Sequence, residues 1–385
     1  VLENLEPAEK IRPPSNFRPG VVFDGQEGEA TTPGLDNEPE TFDEYLRDAG
    51  IDPEGIEVIP PVRTSRWQQQ RDGELIWLTS YRFTFRKRSS SVDLPLILAA
   101  ARKKYRSRTI KTTQPRALVV LWSDLQVGKV DWLGGAEESI ARIEKTRAAL
   151  VELVKREKPE RIVFVDLGDT IEGFDNKQSE HQNRTNDLSI HEQVDMATTF
   201  AWETLKALVE LVPDVRYASV GSNHCQWRIK GQKVGKTTDD WGVFIGRQLA
   251  RLAQETNAPI RFLEPQPHHE SLALDVFDDG FHVLGIVHGH QAARPEGLPD
   301  WWRKQSFGSQ PVAAASILLH GHFHHFRLQE LGATADGASR YLIGAPTLDN
   351  GSAWFRNSSG EQSVPGLATF ALEKGEPFSG TVWKL

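Results

Sequence analysis

Cysteine is almost missing from this chain: Cys225 stands alone among 385 residues. One thiol excludes an internal disulfide and any zinc site built on paired cysteines. The scarcity fits a reducing compartment, and a cytoplasmic location is expected. No run of about 18 uninterrupted apolar residues occurs, so no membrane-spanning helix is expected. The first residues hold no basic stretch leading into an apolar one, so no secretory signal is expected. Apolar content of 38% and charged content of 25% are those of an ordinary globular chain.

Nor is there an overall excess of positive charge, since the net charge is −8. That figure hides an asymmetry. Residues 81–116 hold eleven Lys or Arg against one Asp, which leaves the remainder at about −18. The segment reads either as a solvated face with a linker or as a contact surface for a phosphate backbone. Nucleic acid is therefore an expected partner through residues 81–116.

Three regions follow from the pattern. Residues 1–40 are rich in Pro, Gly and Glu without periodicity and read as an extended arm. Residues 41–112 read as a small α+β accessory domain. A helix is expected from Thr41 to about Gly50, then strands to about Arg88 with a hairpin at Asp72-Gly73. In its second strand Trp77, Thr79, Tyr81, Phe83 and Phe85 share one face, which reads as core or as a base-stacking surface. A helix over 94–105 and a basic linker over 106–115 complete the region. Residues 113–385 alternate apolar strand-length runs with helical stretches at 136–157, after 191 and at 239–256, the mark of an α/β sheet.

Five motifs occur in fixed order in that last region, each at or near the end of an apolar run. They are Asp124-Leu125-Gln126, Gly168-Asp169, Asn223-His224, His288-Gly289-His290 and Gly321-His322-Phe323-His324. Strand ends on one sheet edge are where α/β proteins build sites. Carboxylates, amides and imidazoles together suit Mn, Fe, Zn, Co or Ni rather than a thiolate-selected metal. Two ions about 3.5–4 Å apart need a bridging carboxylate and several further ligands each. A single Gly-Asp or Asn-His carries little weight; the ordered set is hard to ascribe to packing.

The set resembles the calcineurin-like metallophosphoesterases, whose pattern runs Asp-x-His, Gly-Asp, Gly-Asn-His, His and Gly-His-x-His. The likeness extends over residues 117–372. Asp-Leu-Gln-Val-Gly-Lys at 124–129 and the Gly-His-x-His-His stretch are also similar to members encoded by bacteriophages of actinobacteria and to the recombination-nuclease branch. The resemblance implies an α/β fold, a four-layer α/β/β/α sandwich with the small α+β domain ahead of it. It implies two divalent ions, Mn²⁺ first among them, with Zn²⁺, Fe²⁺ or Ni²⁺ as alternatives. Asp124, Gln126 and His324 would hold one ion, Asp169 would bridge, and Asn223, His288 and His322 would hold the other. His224 and Asp169 would be catalytic, His224 as a non-ligand proton donor. Gln126 stands where the family has histidine, and Ser222 where it usually has glycine. Asn350-Gly351-Ser352 resembles the short turn that often follows the last motif.

Around this set, His290 rivals His288 as the ligand, while His320 and His325 read as neighbours of ligands. His268 and His269 read as solvated. His181, Arg184 and His191 fall in a long polar stretch after Asp169, where Arg184 would clamp a phosphate or form a surface ion pair. Trp302, with Trp301, would stack a base or pack its loop. The expected activity is phosphodiester hydrolysis, most simply of DNA. The alternatives are a phosphomonoesterase or a metal-binding protein without catalysis.

Overall fold

The computed structural model describes all residues except 1–17, 26, 72, 88–114, 175–185, 335–336 and 361. The chain divides into two compact units, Val1–Ser91 and Val92–Leu385. The expected boundary at 112, the helix over 94–105, the basic linker up to residue 114 and residues 1–17 of the arm lie outside the described residues, while part of the remaining arm forms two strands, Gly20–Phe23 and Glu27–Thr31.

The first unit has a four-stranded antiparallel sheet and one short helix. The strands are β1 (Gly20–Phe23), β2 (Glu27–Thr31), β3 (Ile56–Arg71) and β4 (Glu74–Lys87), in the order β1-β2-β4-β3. Helix α1 spans Asp43–Asp48 and ends before Gly50, whose φ of 79° suits a residue without Cβ. Arg71 pairs with Glu74 across the expected two-residue turn. Leu46 of α1 packs with Ala30, Ile56, Phe83 and Phe85, and Phe42 stacks on Phe83 at 4.1 Å.

The aromatic face of β4 is core only in its second half. Tyr81, Phe83 and Phe85 are buried, whereas Trp77 is 49% exposed. The β3–β4 register shifts between Ile59 and Arg63. Nearer the turn Leu78 and Ser80 are buried instead, and the chain at Gly34 passes so close to Leu78 and Trp67 that a Cβ there would strike both. A strict period of two therefore does not hold along the whole strand.

The second unit is a mixed α/β fold of four layers. One sheet has six strands, the other five. In chain order come β5 (Arg116–Trp122), α2 (Ala136–Glu157), β6 (Arg161–Asp166), α3 (Ile190–Val209) and β7 (Asp214–Ser219). A two-residue ladder, β8 (Arg228–Ile229) and β9 (Gln232–Lys233), precedes α4 (Trp241–Thr256) and β10 (Ile260–Leu263). Then follow β11 (Ser271–Asp275), β12 (Val283–Val287), α5 (Leu298–Phe307), β13 (Ile317–His320), β14 (Arg327–Ala333) and β15 (Ser339–Gly344). Helix α6 (Ala353–Ser359) and strands β16 (Ala368–Glu373) and β17 (Val382–Lys384) end the chain.

The six-stranded sheet runs β10-β7-β6-β5-β16-β17, with β10, β7, β6 and β5 parallel. The five-stranded sheet runs β11-β12-β13-β15-β14, with β12, β13 and β15 parallel. Strands covered on both faces read as unbroken apolar runs, and Ala117 to Trp122 are all buried. Val119, Val163 and Ala218 of one sheet face Leu284, Ile317 and Ile343 of the other in a shared core. Leu150, Ala201 and Leu249 of the helices cover the outer face of the six-stranded sheet. Leu298 and Trp302 cover that of the five-stranded sheet.

Helix starts are fixed by local chemistry. Ser189 and Glu192 form a reciprocal capping box at α3. Asp240 accepts from the N–H groups of Gly242 and Val243 at α4. The consequence for function is positional: the parallel strands of both sheets end at one edge, and their following loops converge there.

Candidate metal centre

Three loops of the six-stranded sheet and two of the five-stranded sheet carry the motif residues. Five of these residues sit in the left-handed backbone region: Asp124 (φ 50°), Gln126 (45°), Asp169 (48°), His322 (68°) and His324 (59°). Each such residue costs roughly 1 kcal/mol or more. Hydrogen bonds between loops hold the conformation. Asp124 N–H donates to Gly168 O at 3.0 Å and Gln126 N–H to Asp169 O at 2.9 Å. The Asp124 carboxylate accepts from the N–H of His322 at 3.0 Å. Gly168, at φ 97°, lies so close to Ser222 and His288 that a Cβ would collide with both.

The tightest group is Asp169, Asn223, His288 and His322. His288 Nδ1 is 2.7 Å from Leu167 O. A carbonyl oxygen only accepts, so Nδ1 carries a proton and Nε2 is the atom available to a metal. His288 Nε2 lies 3.0 Å from Asp169 Oδ2 and 2.9 Å from Asn223 Oδ1. Two ligands about 2.1 Å from one ion and at right angles to it are about 3 Å apart, so these spacings fit a shared cation. One ligand atom from each of Asp169, His288 and His322 lies within 4.8 Å of the other two. Among the described residues no other group of three His, Cys, Asp or Glu meets that limit.

Burial opposes the charge on Asp169, yet the facing imidazoles of His288 and His224 outweigh it and hold the carboxyl well below the usual range. Burial likewise works against charge on His288, and Asp169 overrides it, raising the imidazole pKa. His322 goes the other way: burial and the neighbouring His288 push it down to about 3. It is therefore a neutral imidazole, the form that ligates.

Asp124 and His324 form the second half. His324 Nε2 is 3.3 Å from Asp124 Oδ1, and its Nδ1 is 3.4 Å from Asp349 Oδ2. Burial opposes its charge, but Asp124 and Asp349 raise it to about 10. Asp349 lies at the end of the β15 loop and is buried. Arg142 of α2 fixes that loop by donating to Leu348 O, Asp349 O and Asn350 Oδ1 at 3.0–3.1 Å. Sequence reasoning missed Asp349. The signal was its place directly before Asn350-Gly351-Ser352.

Gln126 was expected as a ligand; its one side-chain oxygen, Oε1, accepts from Lys129 Nζ at 2.7 Å. Its amide Nε2 lies 3.2 Å from His224 Nε2. Lys129, also missed as a site residue, is the last residue of the Asp-Leu-Gln-Val-Gly-Lys segment. His224 keeps its ring beside the cluster, with Nε2 4.0 Å from Asp169 Oδ2. Its Nδ1 is 3.1 Å from Glu172 O and 3.3 Å from Glu172 Oε2. Burial works against its charge, and Asp169 and Glu172 outweigh it to raise the pKa to about 9. Ser222 Oγ accepts from Asp169 N–H at 2.7 Å, which ties two site loops together.

Between His288 and His290 the geometry separates the roles. His290 Nε2 faces Glu270 Oε2 at 3.8 Å, away from the Asp169–Asn223 contact. His320 and His325 each turn Nδ1 to a backbone carbonyl, of Gly321 and Phe323. His191 stands exposed in the first turn of α3, while His181 and Arg184 lie outside the described residues. Trp302 is a correction. It is 3% exposed, and its indole N–H donates to Val312 O at 2.9 Å. A ring sunk into the outer core packs its loop and has no face open to a base. Exposed indoles in this unit include Trp227, tilted against Trp241 at 5.3 Å, and Trp132, with Arg356 over its ring at 5.6 Å.

No family model matches the chain, and no curated protein matches it. Among solved structures, it is similar to one described as a 5′-nucleotidase from Staphylococcus aureus in complex with α-ketoglutarate. The identity is 11% and the TM-score 0.30, over 70% of this chain and 53% of that one. The chain thus spans about half the length of that protein. Function has to be argued from the site itself. No helix among the described residues is long and apolar enough to cross a membrane.

Proposed function

We propose that the chain is a metal-dependent phosphoester hydrolase, and that its substrate is a phosphodiester in nucleic acid, DNA first. One observation carries the reading: Asp169 Oδ2, Asn223 Oδ1 and His288 Nε2 converge at 2.9–3.0 Å beside a neutral His322. A divalent ion held there would acidify water and draw charge off phosphoryl oxygens. Carboxylate and amide oxygens beside the two imidazoles suit Mn²⁺. His224, with a proton to give and no place among the converging ligand atoms, is set to protonate the leaving oxygen.

Support for an extended substrate comes from the rim. Trp132 and Trp227 present open indoles on the loops that carry Lys129 and His224, and such rings suit stacked bases. The basic segment adds sequence support, although most of it lies outside the described residues. Three of its described cations are already engaged: Arg82 with Glu29, Arg86 with Glu57, and Arg116 with Glu157 and Glu373. Phosphate contacts would therefore fall to Lys87 and the cations of 88–114.

A panel of bis(p-nitrophenyl) phosphate, p-nitrophenyl phosphate and end-labelled DNA tests the reading. Turnover should stop with a chelator and return best with Mn²⁺, with the diester and DNA preferred over the monoester. Preference for the monoester would make the protein a phosphomonoesterase. Full turnover by metal-stripped protein would end the metal reading.

A further inference from the structure

The two halves of the centre are not equivalent, and the reason is Lys129. Its ammonium is buried and makes two short hydrogen bonds, to Gln126 Oε1 at 2.7 Å and to Asp349 Oδ2 at 2.6 Å. An ammonium has only donors, so it fixes the Gln126 amide with its oxygen turned toward Lys129. A divalent ion on the oxygen's other lone pair would sit against that fixed ammonium, which opposes Gln126 as a ligand. The position of Lys129 is itself held: Asn350 Nδ2 donates to Lys129 O at 2.6 Å. Asp349 in turn faces His324, and His324 faces Asp124. A fixed unit charge therefore sits at the end of the Asp124–His324 half, where sequence reasoning expected a ligand to an ion.

We propose that Lys129 is the resident cation of this half, so that the chain binds one divalent ion tightly, at Asp169, Asn223, His288 and His322. This rests on the metal reading above and specifies the number and place of the ions. The geometry agrees: a second dication beside Asp124 and His324 would share Asp349 with the buried Lys129 ammonium and be repelled by it. Asp124, Asp169 and His324 also fail to close into a three-ligand group of the kind that Asp169, His288 and His322 make.

The test is the Mn²⁺ stoichiometry of the full chain, stripped of metal and titrated by calorimetry, with native mass spectrometry as a second readout. One tight ion is expected, with any second ion at least about 100-fold weaker, the scale on which changes around a metal's ligands act. Two ions of similar affinity would overturn the inference and leave the metal reading standing. No bound ion would remove the metal reading itself. Gln126→His alone should still bind one ion tightly, because the ammonium remains. The double variant Gln126→His/Lys129→Met should gain a second. Two tight ions in Gln126→His, or one in a double variant whose circular dichroism and Tm show an intact fold, would sink the role given to Lys129. If the double variant does not fold, the native and Gln126→His titrations decide.

Discussion

The six-stranded sheet brings oxygen to the centre, through Asp124, Asp169 and Asn223. The five-stranded sheet brings nitrogen, through His288, His322 and His324. Each set is poor alone. Buried carboxylates without cations repel one another, and buried imidazoles crowded together lose their protons, as His322 does through burial and its neighbour His288. Packed together, each set determines the charge state of the other: His288 depresses Asp169, and Asp169 raises His288. A metal centre of this kind is a property of the contact between two sheets. Variants that touch one side only should show which side does what.

The largest effect is expected from the oxygen side. Asp169 Oδ1 accepts from His224 N–H at 2.8 Å while Oδ2 faces His288. Asp169→Asn keeps the shape and removes the charge. Metal content after dialysis should fall to background, and diester turnover by at least about 10³-fold. A variant that keeps its metal would mean that the nitrogen side suffices, and the division of labour would be wrong.

His224 is the imidazole carried by the oxygen side, and it sharpens the comparison. Its ring faces Glu172 and Gln126 rather than Asn223. His224→Ala should therefore keep its metal and lose turnover by about 10²–10⁴-fold, the range for a lost general acid. Metal analysis alongside kcat separates the two roles. A metal-depleted His224→Ala would move this residue into the ligand set.

Much of this was legible in the sequence for one reason. Strands buried on both faces are apolar runs with defined ends, so Ala117–Trp122 and Arg161–Val165 announced where the loops begin. Helices α2 and α4 were legible from their periodicity. What escaped was whatever depends on a partner distant in sequence. Nothing local to Gln126 says that its oxygen is claimed by Lys129, since that outcome needs Asp349, 220 residues on, to hold the ammonium. Trp302 looked available because it follows a histidine motif, but the turn around Val312 covers it. In β4 the expected face is buried only from Tyr81 to Phe85; nearer the turn the buried positions are Leu78 and Ser80, on the opposite face. The left-handed φ values at five site residues were also invisible, because the cross-loop hydrogen bonds that sustain them join segments far apart in the chain.

The smallest expected effect comes from the seam between the sheets. Gly321 belongs to the nitrogen side, at the end of β13. A Cβ on it would fall inside van der Waals contact of Ser123 Oγ and Asp124 Oδ2, both on the oxygen side. Its φ is not in the left-handed region, so Gly321→Ala tests close approach without backbone strain. Ser123 Oγ donates to Asp124 Oδ2 at this same point, and both groups are buried. Neither can swing away into solvent. The methyl should push Asp124 and the His322 N–H apart, weakening Mn²⁺ by about 10–100-fold, as changes around a metal's ligands do. Overpacking should also cost about 1–3 kcal/mol of stability. Gly55→Ala in the first unit, where a Cβ meets nothing within 4 Å, is the control and should change neither quantity. Calorimetric affinity and Tm measured on both variants decide. If Gly321→Ala binds Mn²⁺ as the native chain does, the two sheets tolerate displacement at their seam, and the centre is set by one of them rather than by their contact.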